Sequence, residues 1–289
     1  MRSKRPKVLY VASLSHSGST LLDLMLNAHS QIVSVGELKQ LGRYARFEKA
    51  GKRLSCTCGA PTILECDFWS RVNAHTQNAI GRTLAALNVE SYDDQDNFQR
   101  DNVALFNAIA AVSAKRFIVD SSKSVPRLTL LMENTEIDVF PIFLLRNPKG
   151  QICSSKNRST HLFRLIGRYV RTNREIYATI RHLPHEVIYY EELVQRPERT
   201  LTRVMGSVGL EFEPCQLEWA APIRHNVGGN GMRRGTSSTL KLDQNWRHRL
   251  SLMEKLAIGI GTIPGRFPLL GIGATATRGN NLASAATAE

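Results

Sequence analysis

Short apolar runs alternate with longer helix-favouring stretches along the chain. Four runs are rich in β-branched or aromatic residues and end in polar residues, which is typical of buried strands: residues 8–12, 117–120, 137–145 and 187–190. The stretches that predict helices are residues 20–28, 68–87, 97–115 and 197–208. Apolar strands that alternate with helices predict a parallel sheet covered on both faces. The expected fold is therefore a doubly wound α/β sheet flanked by helices.

In such sheets, ligands bind beyond the carboxyl ends of the strands. Polar residues that follow the predicted strands should therefore share one edge of the sheet. They are residues 13–20, 120–123 and 146–154, together with Glu37, which follows a short extended segment. These are the residues in which we look for chemistry.

No Pro/Gly/Ser-rich linker or internal repeat divides the chain, so we expect a single domain over residues 1–270. Residues 271–289 lack periodicity and predict a disordered tail. No window approaches about 18 consecutive apolar residues, and residues 13–19 interrupt the apolar start before the core of a signal peptide could form. We expect a soluble, cytoplasmic protein without a membrane span.

The chain is basic, with 38 Lys and Arg against 25 Asp and Glu and a formal net charge of +13. Such a surplus suits nucleic acid, an anionic membrane or a small polyanionic ligand. The basic residues lie in short groups, without a zinc-finger spacing, an aromatic RNA-binding signature or a long basic arm. No nucleic-acid partner is expected, and a basic nucleic-acid-binding module is kept as an alternative.

The loop over residues 13–20, SLSHSGST, lies between the first predicted strand and the first predicted helix. Backbone N–H groups at a helix N-terminus favour an anion, so the loop predicts a phosphate or sulfate site in a P-loop-type fold. The nucleoside triphosphatase form of this loop would need Gly in place of Ser13 and Lys in place of Ser19. Because neither is present, a P-loop kinase or other nucleotide phosphotransferase is only an alternative.

A second candidate anion site lies at the end of the third long apolar run. Arg146 ends that run, Pro148 stands where a helix would open, and Ser154 follows about two turns later. An arginine fork suits a phosphate. Arg146 and Ser154 are therefore expected to reach one anion together.

The segment SHSGSTLLDLMLNAHSQIVSVGEL resembles the 5′-phosphosulfate-binding loop and following helix of sulfotransferases that use 3′-phosphoadenosine 5′-phosphosulfate (PAPS), in the branch with carbohydrate, tyrosyl-protein and many bacterial enzymes. The resemblance implies that six loop residues bind the donor: Ser15, His16, Ser17, Gly18, Ser19 and Thr20. It also implies that Arg146 and Ser154 hold the 3′-phosphate, and that Arg233 in a Gly-rich basic loop contacts it.

Sulfuryl transfer to a hydroxyl needs an in-line acceptor, charge stabilisation and usually a base for the acceptor proton. The resemblance assigns the base to Glu37 of a Gly-Glu pair. Lys123 ends the second predicted strand and could neutralise the sulfonate or bind the acceptor, while Asp120 is an alternative base or a helix cap. His16 stands where relatives carry Lys or Arg, so it stabilises developing charge only when protonated or as a neutral donor.

Three of the five cysteines lie in a short segment, Cys56, Cys58 and Cys66. They could bind zinc with a fourth ligand such as His75 or Cys153, but the usual paired C-x-x-C spacing is missing. A redox or purely structural role is equally open. The proposed sulfuryl transfer itself requires no metal.

Together these features predict an enzyme that moves a sulfuryl group from PAPS to an acceptor, most simply a hydroxyl, and releases PAP. Glu37, His16 and Lys123 are the expected catalytic residues. Small molecule, glycan, lipid headgroup and tyrosine side chain all fit as acceptors. The sequence does not specify the oligomeric state.

Overall fold

The computed structural model describes residues 5–46, 54–90, 92–156 and 161–263, so the predicted tail over residues 271–289 lies outside the described residues. The strands are β1 (Lys7–Ser13), β2 (Ile32–Ser34), β3 (Phe117–Asp120), β4 (Asp138–Leu145) and β5 (Glu186–Tyr189). The helices are α1 (Ser19–Asn27), α2 (Leu41–Ala45), α3 (Asp67–Ile80), α4 (Gln95–Ser113), α5 (Val125–Glu133), α6 (Pro148–Ser155), α7 (Leu162–Ile180), α8 (Tyr190–Gln195), α9 (Pro197–Val208), α10 (Trp246–Arg249) and α11 (Leu252–Gly261). Short 3-10 turns cover Leu38–Gln40, Pro214–Glu218 and Gly231–Arg234.

The five strands form one parallel sheet in the order β2-β3-β1-β4-β5. In the central strand, Leu9 lies opposite Val119 of β3 and Phe140 of β4. The chain first continues to β2 and β3 on one side of β1 and later to β4 and β5 on the other. This reversal opens a crevice at the carboxyl end of β1, where such sheets bind ligands. The prediction of a P-loop-type, doubly wound parallel sheet with flanking helices is confirmed.

Alternate residues of β1 enter different hydrophobic cores. Val8 and Tyr10 pack in the core that contains residues of α3, α4 and α5. Leu9 and Val11 pack in the core built with α1 and α9. Because both faces are covered, the strand is apolar throughout, which is why it reads as a continuous apolar run.

Several helices differ from the sequence prediction, since α3 is shorter than predicted and α2, α7, α8, α10 and α11 were not predicted. α3 ends at Ile80, seven residues before the predicted end, because Gly81 adopts a left-handed conformation (φ 69°) that terminates the helix. α7 was not predicted, although its buried positions recur every three to four residues: Leu165, Ile166, Tyr169, Asn173, Ile176 and Ile180.

None of the helices in the described part of the chain combines the length and the apolar character that a bilayer crossing requires.

Candidate active site

The loop between β1 and α1 lies at the crevice and presents a helix N-terminus. His16 (φ 66°) and Gly18 (φ 95°) have left-handed conformations, and Gly18 caps α1. A Cβ atom at Gly18 would lie 2.5 Å from the ring of Tyr190, so only glycine fits there. The first N–H groups of a helix have no intrahelical acceptor. The N–H groups of Ser19 and Thr20 are therefore available to an anion.

Lys123 joins this loop to Glu37. The Lys123 Nζ atom lies 3.2 Å from Ser19 Oγ and 2.6 Å from Glu37 Oε1. Both charged side chains are only 12% exposed. Gly229 N–H donates a further hydrogen bond of 3.1 Å to Glu37 Oε1. The structure thus brings together two expected catalytic residues and one expected donor-binding residue.

Backbone contacts of Gly36 set the position of Glu37. Gly36 forms an isolated parallel bridge with Val227, in which Glu37 N–H donates to Val227 O at 2.7 Å. Val227 N–H in turn donates to Val35 O at 2.9 Å. Gly36 has φ 78°, and a Cβ atom there would lie 2.2 Å from Val227 O. We call this backbone pairing of residues 35–37 with Val227 the strap. It holds the Glu37 carboxylate at the crevice.

Arg146 is buried on the opposite side of the loop. Its guanidinium donates to His16 O at 2.7 Å, to Ser154 Oγ at 3.4 Å and to Asp243 Oδ2 at 2.7 Å. It also lies 4.7 Å from the centre of the Tyr190 ring. The structure therefore places Arg146 next to Ser154, and their joint binding of one anion stays a prediction.

The same guanidinium retains an unused donor. Arg146 is only 7% exposed, and its Nε atom is buried without a hydrogen-bond partner. A buried, unpaired donor on a cation is unfavourable unless an anion satisfies it. The N-terminus of α1 and the Arg146 guanidinium, which contacts the loop at His16 O, are thus two groups beside this loop that favour anions.

His16 is exposed and carries no permanent charge. Partial burial lowers the pKa of its imidazole, and the neighbouring cations Arg146, Lys123 and Arg168 lower it further. The ordinary pKa of histidine is 6.5, so the ring is neutral at pH 7. Next to it, Ser15 contributes its carbonyl oxygen, which accepts a 2.9 Å hydrogen bond from Gln151 Nε2.

Arg233 lies on the Glu37 side of the crevice. It donates to Gly228 O and, at 2.8 Å, to the hydroxyl of Tyr44. Within the described residues, its hydrogen bonds do not connect it to Arg146 or Ser154. The same loop reaches the donor side through Asn230 N–H, which donates to Thr20 Oγ1 at 3.4 Å. Arg233 thus lines the cleft beside Glu37, and its predicted contact with the 3′-phosphate stays a prediction.

A cleft of about 280 Å³ opens next to the Glu37 carboxylate. It is lined by Glu37, Gln40, Arg43, Tyr44, Leu54, Gly228, Gly229 and Arg233. Two of the lining side chains are arginines, so an acceptor with a polar or anionic group suits this cleft.

Asp120 is occupied by structural contacts. Its Oδ2 atom accepts from Arg127 Nε at 2.9 Å in an ion pair with both side chains fully buried. Its Oδ1 atom accepts from Ser122 N–H at 3.0 Å. Asp120 therefore stabilises the turn after β3, and its candidacy as an alternative base loses support.

Sequence reasoning missed two carboxylates of the site. Asp243 binds Arg146, as described above, from a segment without strong periodicity. Asp23 is 2% exposed on α1 and accepts a 2.6 Å hydrogen bond from Asn226 Nδ2. Burial raises the pKa of Asp23 to about 6. The signal for Asp23 was present, because it is the one charged residue among the apolar positions of α1.

The three neighbouring cysteines converge on a histidine that the sequence analysis did not consider as their partner. Ligand atoms of Cys56, Cys58, Cys66 and His225 all lie within 4.8 Å of one another. The suggested fourth ligands lie elsewhere, since His75 lines a cavity between α3 and α4 and Cys153 packs on the core around α6. The expectation of His75 or Cys153 is therefore wrong.

Comparisons with known proteins identify the family of this chain. The profile described as the sulfotransferase family matches residues 8–214. The sulfotransferase domain of the Synechococcus PCC 7002 olefin synthase has a TM-score of 0.59 and 18% identity, over 90% of this chain and 96% of that one. The sulfotransferase domain of the curacin biosynthetic pathway has a TM-score of 0.57 and 19% identity, over 94% and 99%. No curated protein matches significantly. The family profile covers more than half of the chain, and the protein belongs to the sulfotransferase family.

Proposed function

We propose that this enzyme transfers the sulfuryl group of PAPS to a hydroxyl acceptor, with Glu37 as the general base. The observation that carries the proposal is the position of Lys123, whose ammonium contacts Ser19 of the anion-binding loop and the Glu37 carboxylate at once. One cation thereby links the place where a sulfonate would lie to the group that would take the acceptor proton.

The donor supplies an activated sulfuryl group whose bond to the 5′-phosphate breaks as the acceptor oxygen bonds to sulfur. The N–H groups of Ser19 and Thr20 would hold the 5′ side, and Arg146 with Ser154 would hold the 3′-phosphate. Lys123 stabilises negative charge on the transferring group. Glu37 accepts the proton of the acceptor hydroxyl, so that neutral acceptor becomes sulfate ester and PAP leaves as an anion.

The acceptor would enter through the cleft beside Glu37. Its arginines, Arg43 and Arg233, favour an acceptor with a polar or anionic group. We propose no step through a metal ion.

The first test is binding of PAP by calorimetry, compared with ATP and magnesium. We expect PAP to bind the wild type and Arg146→Ala to weaken it about tenfold or more, because a charge-assisted bond to phosphate contributes about 1.5–3 kcal/mol. Arg199→Ala is the matched control, since it removes the same charge from an exposed position on α9.

Equal PAP affinity in Arg146→Ala would remove the assignment of the 3′-phosphate site. Binding of ATP with magnesium, or of nucleic acid, in place of PAP would reject the proposed donor altogether. Ser154→Ala provides a milder second variant if Arg146→Ala does not fold.

A further inference from the structure

A cluster of soft ligands lies outside the site described above. Cys56 and Cys58 belong to the turn before α3, and Cys66 stands at the N-terminus of α3. His225 comes from a segment about 160 residues later in the chain and reaches the same point. Three thiols and one imidazole from two distant segments therefore meet there.

Three distances between ligand atoms of this cluster are close to the edges of a zinc-centred tetrahedron, and all of its ligand atoms lie within 4.8 Å of one another. The Cys66 Sγ atom lies 3.2 Å from His225 Nδ1, and Cys56 Sγ lies 3.8 Å from it. Cys58 Sγ and Cys66 Sγ are 3.6 Å apart. Zn–S bonds of about 2.3 Å and a Zn–N bond of about 2.0 Å at tetrahedral angles give edges of about 3.8 Å between sulfurs and about 3.5 Å from sulfur to nitrogen.

The turn that carries the first two thiols is built to present both. Gly59 has φ 100°, and its N–H donates to Cys56 O at 3.2 Å. Cys56 N–H donates to Ala60 O at 3.0 Å, which closes the turn. Cys56 and Cys66 are buried while Cys58 is exposed, so an ion can reach the cluster from solvent.

The histidine is held in place independently of any ion. Thr57 Oγ1 donates to Arg224 O at 2.7 Å and accepts from Asn226 N–H at 2.8 Å, so it clamps both neighbours of His225. Trp69 Nε1 donates to His225 O at 2.8 Å. The Phe68 ring stacks on the imidazole at 4.7 Å. Such contacts orient a metal-ligating histidine.

We propose that Cys56, Cys58, Cys66 and His225 bind one structural Zn²⁺ ion. Thiolate and imidazole ligands in a tetrahedral arrangement favour zinc over magnesium or calcium. Four protein ligands leave no open position, so the ion is structural and takes no part in the chemistry. Three thiolates, a neutral imidazole and Zn²⁺ together carry one negative charge. The cation Arg234 lies close to this charge, since it donates to Cys56 O at 3.3 Å.

Zinc at this position would support the candidate active site. His225 lies two residues before Val227, whose backbone pairs with both Glu37 and Val35. The ion would therefore anchor the cysteine turn to the strap that positions Glu37. The zinc assignment itself does not depend on the proposed donor or acceptor.

The test is metal analysis of protein purified under reducing conditions from zinc-supplemented medium, without chelators. We expect one zinc per chain by mass spectrometry of the metal, and X-ray absorption that shows three sulfur neighbours and one nitrogen neighbour. In Cys58→Ser and in His225→Ala, the zinc content per chain should fall by about tenfold or more. His225→Cys should retain it, because a fourth thiolate is also a zinc ligand.

Cys215→Ser is the matched control, since Cys215 is an exposed cysteine outside the cluster and its loss should leave the zinc content at one. Removal of zinc by a strong chelator should lower the melting temperature of the wild type by about 5 °C or more. The same treatment should not change the melting temperature of Cys58→Ser.

Wild-type protein that takes up no zinc, even after incubation with zinc chloride in reductant, would overturn the proposal. So would a disulfide between Cys58 and Cys66 that persists in protein purified under reducing conditions, or a Cys58→Ser variant that keeps its full zinc content. If Cys58→Ser does not fold, His225→Ala decides the question: loss of zinc supports the proposal, and full zinc content overturns it.

Discussion

The Lys123 ammonium is the central charge of the candidate active site. It is nearly buried between the Ser19 hydroxyl and the Glu37 carboxylate. A cation so placed lowers the energy of negative charge that develops on a transferring group, and low exposure strengthens the effect. Its left-handed backbone (φ 62°) is uncommon for a residue with a side chain and places the ammonium at the crevice.

Replacement of Glu37 by Gln should lower kcat by about 100-fold or more, because general base catalysis contributes about that much. PAP affinity should change little, since the hydrogen bonds of the Glu37 carboxylate are to Lys123 and Gly229 and not to Arg146 or Ser154. The measurement is PAP release with a hydroxyl acceptor, beside calorimetry with PAP. Glu198→Gln is the control, because Glu198 is an exposed carboxylate on α9. Activity of Glu37→Gln within tenfold of wild type would exclude Glu37 as the base.

His16 is neutral at pH 7, since burial and three nearby cations lower its pKa below 6.5. We therefore expect His16→Lys to turn over at least as fast as wild type at pH 7 to 8, because its ammonium stays charged. His16→Gln should be slower by about tenfold or more if the ring donates a hydrogen bond to the donor. Rates of PAP release for the three proteins decide this. Equal rates in all three would show that position 16 does not contribute.

The strap formed by Gly36 and Val227 connects elements that lie far apart in sequence. The strap links the segment after β2 to the Gly-rich segment after His225. A third segment contacts it from the end of β3, where Ser121 N–H donates to Gly36 O at 2.8 Å. Three segments thereby fix the backbone on which Glu37 stands. Their close approach requires glycine at position 36.

Gly36→Ala should lose about 3 kcal/mol of unfolding free energy or more, since it adds a close contact with Val227 O to the cost of a left-handed backbone. Gly81→Ala is the control with a similar φ (69°) and no atom within 4 Å of the added Cβ, and it should lose only about 1 kcal/mol. Urea denaturation measures both. kcat should fall in Gly36→Ala alone, and equal losses of stability would refute the close contact.

The carboxyl group of Asp23 makes the stability of the whole folded state depend on pH. It is fully buried on α1, and burial raises its pKa from 3.8 to about 6. The native state therefore holds the proton more tightly than the unfolded chain does. Between about pH 4 and pH 6 the native state binds more protons, so stability falls as pH rises through this window. At pH 7 the ionised Asp23 costs about 3 kcal/mol.

Asp23→Asn should remove this pH dependence while it preserves an acceptor for the 2.6 Å hydrogen bond from Asn226. The variant should be more stable than wild type at pH 7, and the difference should vanish near pH 4. Urea denaturation between pH 4 and pH 8 measures it. Asp93→Asn changes an exposed carboxylate and should show no such difference. A gap between Asp23→Asn and wild type that is constant with pH would contradict the assignment.

Local features of the fold could be predicted because their causes are local. β1, the loop and α1 follow one another in the sequence, so the apolar run, the Ser/Gly turn and the helix-favouring segment are visible together. β3 was predicted with the bounds that the structure shows, Phe117–Asp120. Arg146 and Ser154 could be predicted to lie close together, because Arg146 directly follows β4 and Ser154 lies about two turns into α6, which begins at Pro148. The early end of α3 was missed, since Gly81 acts through its backbone conformation.

The sequence alone determined the chemical groups that this protein carries, the parallel α/β fold and the positions of its main strands, because these depend on composition and short-range spacing. Folding decides which of those groups meet. Asp243 reaches Arg146 across 97 residues, Glu37 reaches Lys123 across 86, and His225 reaches Cys66 across 159. Such pairs arise from the order of strands in the sheet and from loops that return to its edge, and no local pattern encodes those distances.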